Sequence, residues 1–449
     1  MNSSAVSPGR AGLFLLLTGQ MLPLIDTSIT NVALDSITHS LDASATQLEL
    51  IVALYGVSFA VCLAMGSKLG DNYGRRRLFM WGVALFGLAS LLCGMANSIG
   101  GLLAARTLQG AGAALIVPQI LTTLHVTLKG TAHARAISLY GGIGGIAFIV
   151  GQMGGGWLVS ADIAGLGWRN AFFINVPICL VVLALSRRYV PETRRETPSR
   201  IDWAGTVLLA IMLCCLLFPM ALGPQWHWPW SLKVMLLAII PLVWLMAQNA
   251  RKKERGNAHP LIPPRLLQLR SVRFGIVIAL LFFSVWSGFM FCMALTMQTG
   301  LGMAPWQSGN SFIALGVTYF ISAWFAPRLI ARYSTSTILL TGLAIQITGL
   351  LALIVTFHFW GMNNTALTLA PATGLVGYGQ ALIVNSFYRI GMRDIQPDDA
   401  GAASAILSTL QQAALGRITE QGKQLPSGVV RKRHDVHPCR VGQDGGMVV

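Results

Sequence analysis

The chain has 449 residues, of which 54 % are apolar or aromatic and only 11 % are charged, with a net charge of +16. Soluble domains carry about 25 % charged residues, so this composition excludes a set of soluble domains as well as a disordered or fibrous chain. The seven cysteines lack metal-ligand spacing, and neither a metal site nor a disulfide scaffold is expected. The apolar runs are too long for barrel strands and indicate a helical integral membrane protein.

Twelve apolar runs of about 20 residues predict membrane-spanning helices, since that length crosses the hydrocarbon core. In chain order they lie near 11–34, 47–67, 78–96, 101–127, 136–159, 169–187, 203–222, 232–249, 274–297, 307–331, 336–358 and 365–388. A thirteenth run begins near Gly401 and stops at Gly416. That run is too short to cross about 30 Å of hydrocarbon.

The positive charge lies on one side of the predicted spans. The N-terminus and the loops after even-numbered helices hold 23 basic residues, whereas the opposite loops hold two. Cytoplasmic loops of membrane proteins carry such an excess of Lys and Arg, so the N-terminus and the even loops are predicted to be cytoplasmic. The charge thus orients the chain in the bilayer, and no nucleic-acid partner is expected.

The spans divide the chain into segments with different expected roles. These are an N-terminal six-helix bundle at 1–188, a linker with two extra membrane helices at 189–250, a cytoplasmic linker at 251–273, an incomplete C-terminal bundle at 274–415 and a polar tail at 416–449. A weak repeat, in which Leu69 and Tyr73 align with Leu329 and Tyr333, indicates that the two bundles are related.

The tail at 416–449 is polar, basic and rich in glycine, and it follows the thirteenth run in the middle of a helical pattern. A disordered cytoplasmic tail is one interpretation. A helix that stops inside the bilayer leaves backbone polar groups unsatisfied, so a truncated or altered reading frame is the preferred interpretation. In that case we expect the chain to be an inactive transporter.

Two charged side chains lie well inside predicted spans, away from the ends of the helices. Asp26 lies well within the first helix, where an ionised carboxylate facing lipid costs about 3 kcal/mol or more, so it should face a cavity or be protonated. Arg106 in the fourth helix is the candidate cation, although its side chain could instead extend to the interface. A carboxyl balanced between desolvation and a nearby cation can exchange a proton. The alternative is a carboxyl that only fixes helix packing.

The fifth helix reads GGIGGIAFIVGQMGGG at 141–156, which is too rich in glycine for ordinary helix propensity. We expect a close helix crossing where the two halves touch, with Gly145, Gly151 and Gly155 as packing positions. A phosphate-binding loop is excluded because the segment has neither a preceding strand nor a P-loop lysine.

The loop after the second helix reads GSKLGDNYGRRRL and places one acid before three arginines. Asp71 could pair with Arg75, or it could face the positive N-terminus of a helix in the other half. Either contact would have to break when the cytoplasmic side opens, so Asp71 is predicted to act as a conformational latch.

Through these motifs the chain resembles the major facilitator superfamily. GSKLGDNYGRRRL resembles its loop between helices 2 and 3, and RTLQGAGAA, which includes Arg106, resembles its helix-4 motif. LIDTSITNVAL, WRNAFFINVP, DWAG and LTMQTGLGMAPWQSG are similar to its fourteen-helix drug:proton antiporter branch. The resemblance extends over about 12–415 and implies two pseudo-symmetric six-helix bundles plus two linker helices.

The resemblance also implies residue roles. Asp26 and Arg106 would couple transport to protons, with no cofactor besides the proton gradient. The cytoplasmic gate would consist of Gly66, Asp71, Gly74 and Arg75, and the substrate cavity would include Asn31, Gln109, Trp286, Phe289 and Gln298. One departure is Gly151-Gln152, which stands where the antiporter motif has Gly-Pro and lacks the proline kink.

We therefore predict a proton-coupled exporter of small amphipathic or hydrophobic compounds, working by alternating access in a bacterial cytoplasmic membrane. Its partners would be the bilayer, a small-molecule substrate, protons and, as an open question, a membrane-fusion protein. A proton-coupled importer of a small metabolite and a non-transporting sensor are the alternatives. An enzyme is not expected, because no nucleophile–base pair stands out in the sequence.

Overall fold

The regular secondary structure is helical throughout the part of the chain that the computed structural model describes, which comprises residues 8–194, 202–223, 226–256, 260–261, 264–391, 393–395, 407 and 410–411. Ten helices in this part are long and apolar enough to cross a membrane. The prediction of an all-α, multi-pass membrane protein is confirmed. The thirteenth run lies almost entirely outside the described residues, as does the tail at 416–449.

The first half contains seven helices. They are α1 (Arg10–Leu41), α2 (Ala45–Tyr73), α3 (Arg75–Met95), α4 (Ile99–Thr127), α5 (Gly130–Ala161), α6 (Asn170–Phe173) and α7 (Asn175–Tyr189). α4 packs against both α2 and α3, and α1 packs against α5. The short α6 leads directly into α7, so the two together correspond to the sixth predicted span.

The remaining helices form the intervening pair and the second half. They are α8 (Trp203–Leu222), α9 (Trp230–Arg255), α10 (Pro264–Gln268), α11 (Arg270–Leu295), α12 (Pro305–Asn310), α13 (Ile313–Tyr333), α14 (Thr335–Trp360) and α15 (Ala366–Gly391). α15 packs against α11, α13 and α14, whereas α8 packs against α9 and α2. The two extra helices therefore associate with the first half.

Most helices are longer than the apolar runs that predicted them. α1 extends to Leu41 and ends where Asp42 takes a left-handed conformation with φ of 51°. Similarly, α9 continues to Arg255 and α11 begins at Arg270, so both ends of the expected linker at 251–273 are helical. Hydropathy marks only the part of a helix inside hydrocarbon, whereas the backbone stays helical until a cap ends it.

A buried cluster centred on Asp202 joins the extra helices to the first half. The Asp202 carboxylate caps α8 by accepting from Gly205 N at 2.7 Å, pairs with the Lys253 ammonium of α9 and accepts from Leu261 N at 2.9 Å. Burial raises the pKa of Asp202, but these hydrogen bonds, that of Lys253 first, outweigh burial and hold the pKa below its usual value. Lys68 of α2 donates to Pro260 O at 3.4 Å, which ties the same segment to the first half.

The two halves meet mainly along α5. This helix packs against α12 and α13, and α1 makes a smaller contact with α11. Gly156 faces the backbone of Pro305, where an added Cβ would lie 2.6 Å from the carbonyl oxygen, and the Gln152 carbonyl contacts Gly309. The expected close crossing between the halves is therefore present on α5.

The glycines predicted for that crossing lie elsewhere. A Cβ on Gly151 would lie 2.6 Å from Ser28 Cβ, and one on Gly155 would overlap Ile29, so both glycines face α1 of the same half. Both are packing positions, but the expectation that they lie between the halves is wrong, because they face α1 rather than the second half. Gly145 belongs to α5, but its surroundings lie outside the described part.

Candidate functional site

Asp26 of α1 and Arg106 of α4 form a buried ion pair. Arg106 Nη1 lies 2.5 Å from Asp26 Oδ2, and both side chains are 0 % exposed. The structure thus brings together the two charged residues that the sequence placed inside spans. Extension of Arg106 to the membrane interface is not observed, since the guanidinium is enclosed by protein.

Neutral donors complete the surroundings of the Asp26 carboxylate. Asp26 Oδ1 accepts from Gln109 Nε2 at 2.6 Å and from Asn175 Nδ2 at 3.1 Å. Gln109 Nε2 also donates to Ser90 Oγ at 2.9 Å, while Gln109 Oε1 accepts from Arg106 Nη1 at 2.6 Å. All these contacts fix the carboxylate in place, because each one donates to it or holds its donor in position.

Helix geometry explains how these side chains converge. Arg106 and Gln109 are three residues apart on α4 and therefore share one face of the helix. Gly110 and Gly112 lie beside them with no side chain, which lets α4 approach the backbones of Tyr55 and Phe86 closely. Sequence reasoning missed Asn175 and Ser90, although a buried amide in an apolar run such as NVPICLVV is a usable signal.

A cavity lies beside this pair, between α1 and α2 of the first half and α11 of the second. It contains about 1080 Å³ of empty space, part of it continuous with solvent. Of the residues expected to line it, Asn31 and Trp286 do so. Gln20, Thr27 and Tyr55 also line the cavity and were not anticipated.

Three residues expected in the cavity lie outside its lining. Gln109 is bound into the Asp26–Arg106 pair. Phe289 packs beside Trp286 with ring centroids 5.6 Å apart, but it is not among the residues that line the cavity. Gln298 lies buried in the turn of π-helix that follows α11, where its Oε1 has no hydrogen-bond partner. The expectation that these side chains contact the cavity is wrong for this structure.

Tyr55 connects the cavity to the ion pair. Its ring is part of the cavity wall, and the Arg106 guanidinium carbon lies 4.3 Å from the ring centroid. That distance is typical of a cation–π contact. A molecule in the cavity would therefore lie next to a side chain that contacts the buried cation.

On the predicted cytoplasmic side, Asp71 pairs with Arg75. Arg75 Nη2 lies 2.6 Å from Asp71 Oδ1, so the first of the two expected contacts is the one observed. Gly66 lies where α2 crosses α4. A Cβ added to it would lie only 2.5 Å from Ala114 O, so the crossing leaves no room for a side chain. Gly74 takes φ of 105° between α2 and α3, a conformation that favours glycine.

The segment after α7 returns to this loop, which the sequence did not predict. Arg75 N donates to Thr193 O at 2.9 Å, and Arg76 N donates to Glu192 Oε1 at 3.1 Å. Glu192 also lies 3.6 Å from Arg76 Nε and contacts Gly74. The available signal was Glu192 itself, an acid among the basic residues of 187–200.

The fold and the site together define a helical membrane transporter, in which two helical units enclose a cavity beside a buried charge pair. Comparison with known proteins gives the family, since the Major Facilitator Superfamily profile matches residues 16–417. The chain belongs to the Major Facilitator Superfamily. It is therefore a transporter rather than an enzyme, and the predicted two-bundle major facilitator fold is confirmed.

Relatives agree with this assignment. The chain is 31 % identical over 403 residues to the "Probable actinorhodin transporter" of Streptomyces coelicolor, covering 90 % of this chain and 70 % of that protein. It is 32 % identical over 413 residues to "Multidrug resistance protein Stp" of Mycobacterium tuberculosis, covering 90 % and 73 %. The solved human organic anion transporter MFSD10 matches the fold with a TM-score of 0.60 at 15 % identity, over 91 % of each chain.

Proposed function

We propose that the protein is a proton-coupled exporter of small amphipathic or hydrophobic compounds, and that it belongs to the fourteen-helix drug:proton antiporter branch. The observation that supports this most directly is the position of Tyr55, between the cavity and the Asp26–Arg106 pair. The relatives compared above are described as a transporter and a multidrug resistance protein, which favours export. The pair α8 and α9 fits the two extra helices of that branch.

In the proposed mechanism, the ligand and the proton compete through Tyr55. A ligand that fills the cavity displaces the Tyr55 ring and, with it, the Arg106 guanidinium. Asp26 then loses its compensating charge and takes up a proton, since an unpaired carboxylate is costly in a buried site. Release of the ligand restores the pair and expels the proton.

The halves would exchange access to the cavity by rocking along α5, where α12 and α13 contact it. In this proposal the contact between Asp71 and Arg75 closes the cytoplasmic side together with Gly66 and Gly74. Glu192 and Thr193 stabilise that closed loop by holding the backbone of Arg75 and Arg76.

The test measures proton movement driven by substrate. The full chain would be reconstituted in liposomes that contain the pH dye pyranine, and a panel of aromatic antibiotics would be added. Exchange predicts a proton flux that depends on the added compound. Asp26→Asn should abolish the flux, because the amide keeps the hydrogen bonds but cannot exchange a proton.

Two further variants separate coupling from folding. Tyr55→Phe keeps the ring and should keep the flux, whereas Tyr55→Leu should reduce it several-fold. Asp42→Asn changes an exposed acid in a left-handed position that asparagine tolerates, and it serves as the matched control. Unchanged flux in Asp26→Asn, with a control of equal activity, would show that Asp26 does not couple transport to protons.

A further inference from the structure

The cavity wall contains no charged side chain among the residues that the structure describes. Its seventeen lining residues include no Asp, Glu, Lys, Arg or His. The polar groups that they present are the amides of Gln20, Asn31 and Gln411 and the hydroxyls of Tyr55 and its neighbours. An ion that left water for this cavity would find dipoles but no counter-charge, and the loss of hydration would oppose its binding.

The nearest buried charges do not supply a counter-charge. Asp26 and Arg106 are 0 % exposed, absent from the lining, and paired with each other at 2.5 Å. Both oxygens of the carboxylate are occupied by donors from α4 and α7. While the pair is intact, a ligand in the cavity therefore faces a site with no net charge.

One lining residue offers an unused acceptor. Gln20 of α1 lines the cavity and is 9 % exposed, while its Oε1 is enclosed by protein without a hydrogen-bond partner. A turn of the side-chain amide would present this oxygen to the cavity. A buried carbonyl oxygen without a donor is unfavourable, and a ligand that donates an N–H or O–H to it removes that penalty. A ligand without a donor leaves the penalty in place.

Aromatic rings form the other recognition surface. Trp286 and Phe291 of α11 line the cavity together with Tyr55 and Phe59 of α2. Planar apolar surface is buried well between such rings, which favour offset or edge-to-face stacking. The aromatic lining thus favours a flat aromatic ligand.

We infer that this cavity selects uncharged, planar aromatic compounds that donate a hydrogen bond to Gln20, and that it discriminates against permanent cations. The inference rests on the proposed transport function and names its substrate class. Gln20 is the residue that determines specificity, because it is the lining amide whose buried acceptor lacks a donor.

The test is a binding measurement on the purified full chain without a pH gradient. Energy transfer from tryptophan to pyrene would report binding of three probes: 1-pyrenemethanol, its methyl ether, and (1-pyrenylmethyl)trimethylammonium. The alcohol should bind roughly fivefold tighter than the ether, since one net hydrogen bond has about that effect. It should bind at least about tenfold tighter than the cation.

Substitutions at Gln20 test whether this residue causes the preference for the alcohol over the ether. Gln20→Leu and the closer isostere Gln20→Met should abolish the difference between alcohol and ether. Gln20→Glu should strengthen binding of the cation several-fold. Gln248→Leu, on the exposed face of α9, is the matched control and should leave all three affinities unchanged.

Two results would overturn the inference. One is a parent protein that binds the cation as tightly as the alcohol. The other is a Gln20→Leu and Gln20→Met pair that still prefers the alcohol to the ether. Because no gradient is applied, failure of proton-driven flux with this binding pattern intact would contradict only the proposed function.

Discussion

Each oxygen of the Asp26 carboxylate accepts a hydrogen bond from a buried donor, and the strongest of these donors is a cation. Removing one member of such a pair leaves an uncompensated charge, which costs about 3–5 kcal/mol in buried sites. Removing both charges costs less, because neutral polar groups remain to satisfy one another. The pair therefore behaves as a unit rather than as two independent residues.

This coupling predicts a non-additive mutant cycle. Arg106→Gln should lower the thermal unfolding temperature more than the double variant Asp26→Asn/Arg106→Gln. Unfolding in detergent can be followed by a thiol-reactive dye, since Cys93 and Cys179 are buried in the folded chain. Equal and additive effects of the two single changes would contradict a functional pair.

At this scale the sequence predicted the charges but not their neutral partners. Asp26 and Arg106 were identifiable because a charge inside a span is expensive and needs a partner. Ser90 gave no such signal, whereas Asn175, an amide within an apolar run, gave a weaker one. Gln109 was placed in the cavity, yet it contacts the pair, because spacing puts it on the same face as Arg106 but does not show which neighbour that face meets.

Among the helices, α5 has two faces with different tasks. Gly151 and Gly155 face α1, whereas Gly156 faces the second half at Pro305. Gly154 has no atom within 4 Å of the position of an added Cβ. Adjacent glycines of one motif therefore differ in how strongly an added side chain would disturb the packing of α5.

The difference gives a matched pair of substitutions. Gly155→Ala places a methyl group against Ile29 and should destabilise the protein by roughly 1–3 kcal/mol through overpacking. Gly154→Ala should be neutral or slightly stabilising, because alanine is the better helix former. Thermal unfolding of the two variants beside the parent checks this, and equal losses would contradict the packing described for α5.

Apolar runs predicted the order of the long helices, although ten rather than twelve of those in the described part are long and apolar enough to cross a membrane. They did not predict where these helices end, since polar turns beyond the hydrocarbon continue until a cap. The sequence also could not show which neighbouring helix the α5 glycines face. A glycine-rich helix can cross a neighbour within its own half or across the interface, and composition is the same in both cases.

For the whole molecule, the orientation in the bilayer stays a prediction from the 23-to-2 distribution of basic residues. In a cysteine-free background, Asp42→Cys should react with an impermeant maleimide added outside intact cells. Ser334→Cys, after α13, should react only once the membrane is permeabilised. The opposite pattern would invert the topology and place the Asp71–Arg75 contact outside.

The Asp202 cluster also limits how far the two halves can separate. Leu261 is fixed to Asp202 through its N–H, and α11 begins only nine Cα–Cα steps later at Arg270. While α10 is helical, its four Cα–Cα steps advance about 1.5 Å each, and the other five steps advance at most about 3.5 Å each. The distance from Leu261 to Arg270 can then be at most about 23 Å. Unwinding α10 would extend the reach to about 31 Å. The covalent connection is thus a short tether, and it can lengthen further only if the five-residue helix α10 unwinds.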